Sequence, residues 1–154
     1  MKLTHVLTAT LAAGALLFTP ATFADNKALA MEEMEGYLDF VEYGGATILP
    51  AQIPKDEWKK FHVIDARDKD QYAMEHIPGA VNLEWRKVLA ERKLIPKDKP
   101  VLIYCNTGTL SAQAGFALRV AGYDNVRILQ GGFSEWKSKG GFDAAAKASG
   151  QEKR

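Results

Sequence analysis

The chain has 154 residues, of which 47% are hydrophobic and 25% are charged, a composition typical of one globular domain with a core. Lysine and arginine number 20 against 19 aspartates and glutamates, giving a formal net charge of +1. A near-neutral chain gives no electrostatic reason to expect nucleic acid or anionic membranes as partners. Its one cysteine, Cys105, excludes a disulfide within the chain.

Residues 1–24 have the layout of a secretory signal peptide. Lys2 lies near the terminus, residues 6–18 are mainly apolar, and the small residues Thr22 and Ala24 precede the expected cut. An uncleaved membrane anchor is the alternative, but about 13 apolar residues fall short of the roughly 20 that span a bilayer. We expect cleavage after Ala24 and a periplasmic or secreted mature protein without stable membrane association. Since Lys2 is the one charged residue removed, the mature chain has 19 basic and 19 acidic residues.

The mature chain predicts alternating helices and strands. An amphipathic helix is expected in an N-terminal extension over residues 25–43, with one apolar face formed by Ala28, Met31, Met34, Leu38 and Val41. Within a domain over residues 44–141, the predicted strands are ATIL, FHVID, AVNL, VLIYC and NVRIL. The predicted helical segments are PKDEWKKF, DKDQYAME, EWRKVLAERK, SAQAGFALRVAG and the one that follows the glycine turn in GGFSEWKSKG. Residues 142–154 are expected to form a flexible tail.

This alternation of short strands and helices predicts an α/β fold, in which helices cover both faces of a central parallel sheet. Ligands of such sheets bind beyond the carboxyl ends of the strands. Cys105 stands at that end of the most apolar strand, and Asp65 and Arg67 stand at the same end of another. A buried structural cysteine is the alternative interpretation, because free cysteine is among the most buried residue types.

The segment after Cys105 must turn from a strand into a helix that starts near Leu110 or Ser111, and Gly108 permits a tight turn with positive φ. Backbone N–H groups in such a loop, together with the helix N-terminus, form a cradle for an anion. The expected cradle comprises Asn106, Thr107, Gly108, Thr109, Leu110 and Ser111. Such surroundings lower a thiol pKa from roughly 8.5 to about 7 or below. Because the thiolate is the nucleophilic form, Cys105 is predicted to be a nucleophile.

Three segments carry motifs in a characteristic order: VIDARDKDQYAMEHIPGAVNL, then VLIYC with its loop, then LQGGFSEWK. Together they cover about residues 44–140, and in order and spacing they resemble a single-domain, exported member of the rhodanese family of sulfurtransferases. The resemblance implies the rhodanese-like fold and a thiosulfate:cyanide or thiosulfate:thiol sulfurtransferase. In that chemistry the Cys105 thiolate takes the outer sulfur of a small donor such as thiosulfate or a persulfide. The resulting persulfide then passes its sulfur to a thiol or cyanide acceptor. No cofactor is implied beyond this covalent intermediate.

Two loop positions depart from the family pattern. Many active members carry arginine in the loop, where this chain has Thr109 and Leu110. A charge-assisted contact contributes about 1.5–3 kcal/mol, so we expect weak affinity for thiosulfate or a donor that is neutral or thiol-borne. A non-catalytic rhodanese-like module, which binds a partner or carries persulfide sulfur in a sulfur or redox pathway, is the alternative function. A phosphatase of the Cys-x5-Arg type is disfavoured because Ser111 stands where its arginine would be.

Residues outside the loop are assigned supporting roles. Asp65 and Arg67 are expected to form an ion pair beneath the loop rather than to act in catalysis. His76 is expected to fix the Ile-Pro-Gly turn by hydrogen bonding, with general-base catalysis as the alternative. A turn and core packing are expected from Gly131, Gly132 and Trp136. No metal site is predicted, because His62, His76 and Cys105 match no zinc-binding spacing.

Overall fold

Five parallel strands form the sheet in a computed structural model that describes residues 23–151. Their order across the sheet is β1-β5-β4-β2-β3. The strands are β1 (Thr47–Ile48), β2 (His62–Asp65), β3 (Val81–Asn82), β4 (Val101–Tyr104) and β5 (Val126–Leu129). The predicted signal peptide, apart from its last two residues, lies outside the described part of the chain, as do residues 152–154.

In the described part of the chain, five α-helices accompany the sheet: α1 (Phe23–Phe40), α2 (Lys69–Met74), α3 (Thr109–Val120), α4 (Gly132–Lys139) and α5 (Ala144–Gln151). Asp68 caps α2, because its carboxylate accepts a hydrogen bond from the backbone N–H of Gln71 at 2.9 Å. The predicted cleavage site after Ala24 falls in the first turn of α1. Within residues 23–151, no helix combines the length and apolar character needed to cross a membrane.

The central strand β4 explains why the sheet is covered on both faces. All four of its residues are fully buried, and they alternate between two apolar clusters. Val101 and Ile103 pack in the cluster that includes Leu118 of α3, whereas Leu102 and Tyr104 pack in the cluster that includes Trp136 of α4. A continuous apolar run is the pattern of a parallel strand buried on both faces. The predicted α/β fold, a parallel sheet with helices, is therefore confirmed.

The N-terminal helix exists, but its predicted apolar face is covered only in part: Met34 and Val41 are half-buried, whereas Ala28 is exposed. Met31 and Leu38 are exposed at 53% and 62%. Tyr37 also contacts the domain, since its ring packs edge-on against Phe116 of α3 at a centroid distance of 5.3 Å. The inner face of α1 is therefore narrower than predicted: it keeps Met34 and Val41, adds the Tyr37 ring and leaves out the other positions.

The segment EWRKVLAERK was expected to be one helix but forms two 3₁₀ turns, Trp85–Lys87 and Arg92–Leu94. Both turns are held by distant partners. The N–H of Trp85 donates to the carbonyl of Ala66 at 3.0 Å, and the carbonyl of Arg92 accepts from the Tyr123 hydroxyl at 2.8 Å. The backbone groups of Trp85 and Arg92 thus bond to other parts of the fold, and the segment does not form one continuous helix.

The expected flexible tail is also corrected for residues 142–151. The ring of Phe142 packs edge-on against both Trp58 and Trp136, each at a centroid distance of 5.3 Å. Ala144 is buried behind it, and α5 begins there. The aromatic contacts anchor this segment, which its composition of alanine, lysine and glycine does not reveal.

Candidate active site around Cys105

Cys105 directly follows β4, and residues 105–111 are called the cysteine loop below. The pairing of Asp65 with Tyr104 brings the ends of β2 and β4 side by side, as the sequence predicts. Gly108 has a φ of +98° and caps α3, so the helix begins at Thr109. An L side chain would be strained at that φ. The loop therefore closes tightly around the sulfur, and the Cys105 side chain is left with 2% exposure.

Four donors from the loop meet the Cys105 sulfur. They are the backbone N–H groups of Ser111, Thr107 and Gly108 and the hydroxyl of Ser111, whose Oγ lies 3.6 Å from Sγ. Burial raises the pKa of the Cys105 thiol, but these hydrogen bonds outweigh burial and the net effect is a lowered pKa. The arrangement suits a buried thiolate.

The other three residues of the predicted cradle contribute differently. The amide side chain of Asn106 donates to Oε1 of Gln71 at 2.5 Å, which ties the loop to α2. The hydroxyls of Thr107 and Thr109 share a hydrogen bond at 3.3 Å on the exposed side of the loop. The Leu110 side chain is exposed at 37%. These side chains face outward, where an approaching substrate would meet them.

A buried ion pair lies beneath the loop, at the positions predicted for it. The guanidinium of Arg67 donates through Nη2 to Oδ2 of Asp65 at 2.6 Å and through Nε to Oδ1 at 2.9 Å. Its Nη1 reaches Oδ1 of Asn106 at 3.2 Å, and Nη2 also meets the carbonyl of Glu75 at 2.7 Å. Arg67 thus joins the end of β2 to the cysteine loop and to the segment after α2.

Tyr104 is a further part of this support that sequence reasoning missed. Its hydroxyl donates to Oδ2 of Asp65 at 2.7 Å and accepts from the backbone N–H of Ile77 at 3.0 Å. Burial, followed by the bond to Asp65, raises the pKa of Tyr104 far above its ordinary value, so the hydroxyl stays protonated and donates. A tyrosine that ends a fully buried strand needs a polar partner, and this was the available signal.

His76 lies in the turn that Tyr104 holds. Its Nδ1 is 2.9 Å from the carbonyl of Tyr72, and its ring stacks on the Tyr72 ring at a centroid distance of 4.0 Å. Both contacts are local to this turn, as the turn-fixing role requires. That role and the general-base alternative remain predictions.

The glycine pair at the start of α4, Gly131 and Gly132, has a function beyond forming a turn. Gly132 has a φ of +58°, and a Cβ there would lie 2.4 Å from the carbonyl oxygen of Cys105. The close approach allows the N–H of Phe133 to donate to that oxygen at 2.8 Å and the N–H of Ser134 to donate to the carbonyl of Asn106 at 3.0 Å. The start of α4 therefore holds the backbone of the cysteine loop. Two consecutive glycines at a helix start were the sequence signal for a close backbone approach here.

Comparison with known proteins agrees with this geometry. Residues 49–139 match the family of rhodanese-like domains. The thiosulfate sulfurtransferase GlpE of Coxiella burnetii is 38% identical over 76 residues, which cover 49% of this chain and 71% of that protein. The probable adenylyltransferase/sulfurtransferase MoeZ of Mycobacterium tuberculosis is 33% identical over 96 residues, covering 60% of this chain and 24% of that protein.

Two solved structures have the same fold. A rhodanese-related protein from Thermoplasma volcanium is 24% identical with a TM-score of 0.57, and the match covers 62% of this chain and 93% of that one. The rhodanese-like domain of an Anabaena protein is 27% identical with a TM-score of 0.56, covering 62% of this chain and 76% of that one. The chain belongs to the rhodanese-like domain family and is homologous to the sulfurtransferase GlpE.

Proposed function

We propose that this protein is a sulfurtransferase that carries sulfur as a persulfide on Cys105. The observation that carries the proposal is the set of N–H and O–H donors gathered on a buried sulfur whose pKa they lower. The relative named thiosulfate sulfurtransferase supports the same reaction class. Donors fixed by the fold stabilise negative charge on sulfur without having to reorganise during the reaction.

The reaction has two steps. The Cys105 thiolate attacks the outer sulfur of the donor and forms a new S–S bond, and the electron pair of the broken bond leaves with the donor remnant, which is sulfite when the donor is thiosulfate. An acceptor thiolate or cyanide then attacks the outer sulfur of the persulfide. The S–S electron pair returns to Cys105 as a thiolate. The enzyme ends in the state in which it began, and neither a metal nor an organic cofactor takes part in these steps.

The charges around the loop favour a donor that is neutral or thiol-borne. The Arg67 guanidinium is buried at 5% exposure and bonded to Asp65. Lys137 of α4 pairs with Glu75 at 2.5 Å. Thr109 and Leu110 offer a hydroxyl and an alkyl group instead of a cation. We therefore expect thiosulfate, a dianion, to bind weakly, since binding it would lack a charge-assisted contact.

A non-catalytic module that binds a partner or carries persulfide sulfur is the second candidate function. The observation that favours it is the same pair of side chains, Thr109 and Leu110, on the exposed side of the cysteine loop. Such a module would have less need of a site for a free anionic donor.

Intact mass spectrometry separates these two candidates. The purified protein is incubated with thiosulfate or with glutathione persulfide, weighed, and weighed again after cyanide is added. The enzyme is expected to gain one sulfur atom and to lose it to cyanide, with the persulfide donor acting at lower concentration than thiosulfate. Cys105→Ser is the control and should never gain sulfur. A mass that stays unchanged with both donors would favour the non-catalytic module that binds a partner.

We also propose that the protein acts outside the cytoplasm after cleavage behind Ala24. The support is the layout of residues 1–24: a basic start, an apolar stretch and a small residue at the cut. Expression of the full chain in a Gram-negative host should yield a mature protein that begins at Asp25 in the osmotic-shock fraction. An intact N-terminus in the cytoplasmic fraction would refute the export proposal.

A further inference from the structure

The Ser111 hydroxyl lies between two acceptors. Ser111 is fully buried, with its Oγ 3.0 Å from the carbonyl oxygen of Gly108 and 3.6 Å from the sulfur of Cys105. A hydroxyl has one proton and can donate to one of these acceptors at a time. The hydroxyl favours the carbonyl when the sulfur is an uncharged thiol, since a thiol sulfur is a weak acceptor.

The Gly108 carbonyl does not depend on this hydroxyl. It also accepts the backbone N–H of Ala112 at 2.8 Å, the first hydrogen bond of α3. If the Ser111 hydroxyl turns away, the carbonyl oxygen keeps a partner and no buried acceptor is left unsatisfied. Turning the hydroxyl toward sulfur therefore costs little.

We propose that the Ser111 hydroxyl is a two-position donor that turns from the Gly108 carbonyl to the Cys105 sulfur whenever that sulfur is negatively charged. A bond to a thiolate is charge-assisted and stronger than a bond to a neutral carbonyl, which supplies the driving force for the turn. The same residue also donates its backbone N–H to this sulfur. Ser111 is thus a catalytic residue that contacts the reacting atom with both its backbone and its side chain.

The consequence for the reaction rests on the proposed sulfurtransferase function. In the persulfide, the negative charge lies on the outer sulfur, so the hydroxyl returns to Gly108. When an acceptor takes the outer sulfur, the S–S bond breaks and its electron pair moves to the Cys105 sulfur. The leaving group is then the thiolate that Ser111 stabilises. Thiol exchange is faster when the leaving thiol has a lower pKa, so the hydroxyl accelerates discharge of the persulfide.

Ser111→Ala removes the hydroxyl and keeps the backbone donor. Ser138→Ala is the matched control, because Ser138 also donates from a helix to the carbonyl three residues earlier, Glu135, at 3.0 Å, but it lies on the exposed face of α4. The thiol pKa is measured from the pH dependence of iodoacetamide alkylation in the full protein. We expect Ser111→Ala to raise the Cys105 pKa by about one unit and Ser138→Ala to leave it unchanged.

Discharge of the preformed persulfide to cyanide is measured on the same variants. Ser111→Ala is expected to slow discharge several-fold at a pH where the cyanide nucleophile is equally available, and Ser111→Thr, which restores a hydroxyl, should return toward the wild-type rate and pKa. A Cys105 pKa in Ser111→Ala equal to that of the wild type would overturn the proposal. Ser111→Gly repeats the measurement if the alanine variant does not fold. The alkylation result stands even if no persulfide forms, so failure of the sulfurtransferase function is recognised separately.

Discussion

Replacing Gly132 with alanine tests whether α4 holds the cysteine loop in place. The new Cβ would lie 2.4 Å from the Cys105 carbonyl oxygen and 2.8 Å from the carbonyl carbon of Asn106, so the start of α4 must move away. The two hydrogen bonds from α4 to these carbonyls would break. Each is worth about 0.5–1.5 kcal/mol, giving about 1–3 kcal/mol together. Alanine in the left-handed region adds about 1–2 kcal/mol.

Gly45→Ala separates the backbone strain from the loop contacts. Gly45 has a φ of +57°, almost the same as the +58° of Gly132, but a Cβ there meets no atom within 4 Å. Urea denaturation should therefore show that Gly132→Ala lowers the free energy of unfolding by about 1–3 kcal/mol more than Gly45→Ala. Alkylation of Cys105 should also change its pH dependence in the first variant alone. Equal destabilisation by both substitutions, with unchanged alkylation, would refute the role assigned to α4.

Two further predictions concern the ion pair and the thiolate. Arg67→Ala should lower the free energy of unfolding by about 3–5 kcal/mol, because it leaves the buried Asp65 charge without its cation. Arg86→Ala breaks a pair of the same i, i+2 spacing with Glu84, but its arginine side chain is 72% exposed, so it should cost about 0–1 kcal/mol. Similar losses in urea denaturation would contradict this difference. Folding lowers the Cys105 pKa, so the thiolate stabilises the protein above the ordinary thiol pKa of about 8.5 and loses this effect as pH falls through the folded pKa. The stability of wild type relative to Cys105→Ser should rise with pH across that window, and a flat difference would show that the thiolate is not stabilised.

The sequence predicts the parts of the site whose causes are local. The apolar run VLIY is buried on both faces as strand β4, and parallel pairing then brings Asp65 and Cys105 to the same edge of the sheet. The glycine after the cysteine predicts a tight turn, and Gly108 has the expected positive φ. Because strand patterning and backbone conformation depend on neighbouring residues, these features can be read from one segment at a time.

The features that were missed depend on contacts between distant segments. Phe142 anchors α5 by packing against two tryptophans. Trp58 lies 84 positions earlier in the sequence, whereas Trp136 is a near neighbour. Gly132 lies close to the carbonyl oxygen of Cys105, where a side chain would not fit. The hydroxyl of Tyr104 accepts a hydrogen bond from the backbone N–H of Ile77, which follows α2. No periodicity in a single segment contains this information, because a partner is chosen by the folded topology rather than by spacing.

In the cysteine loop, the groups that stabilise the Cys105 thiolate differ from the side chains that an approaching sulfur donor would contact. The loop's outer carbonyls, those of Cys105 and Asn106, are taken by N–H groups of α4, and its inner N–H groups, including those of Thr107 and Ser111, are directed to the sulfur. Thiolate stabilisation therefore comes mainly from backbone groups that the fold holds in place. The side chains at positions 109 and 110 are exposed and take no part in that stabilisation. They can vary without loss of the donors around Cys105. Under the proposed sulfurtransferase function, a change at these positions should therefore alter which sulfur donor binds before it alters whether Cys105 can react.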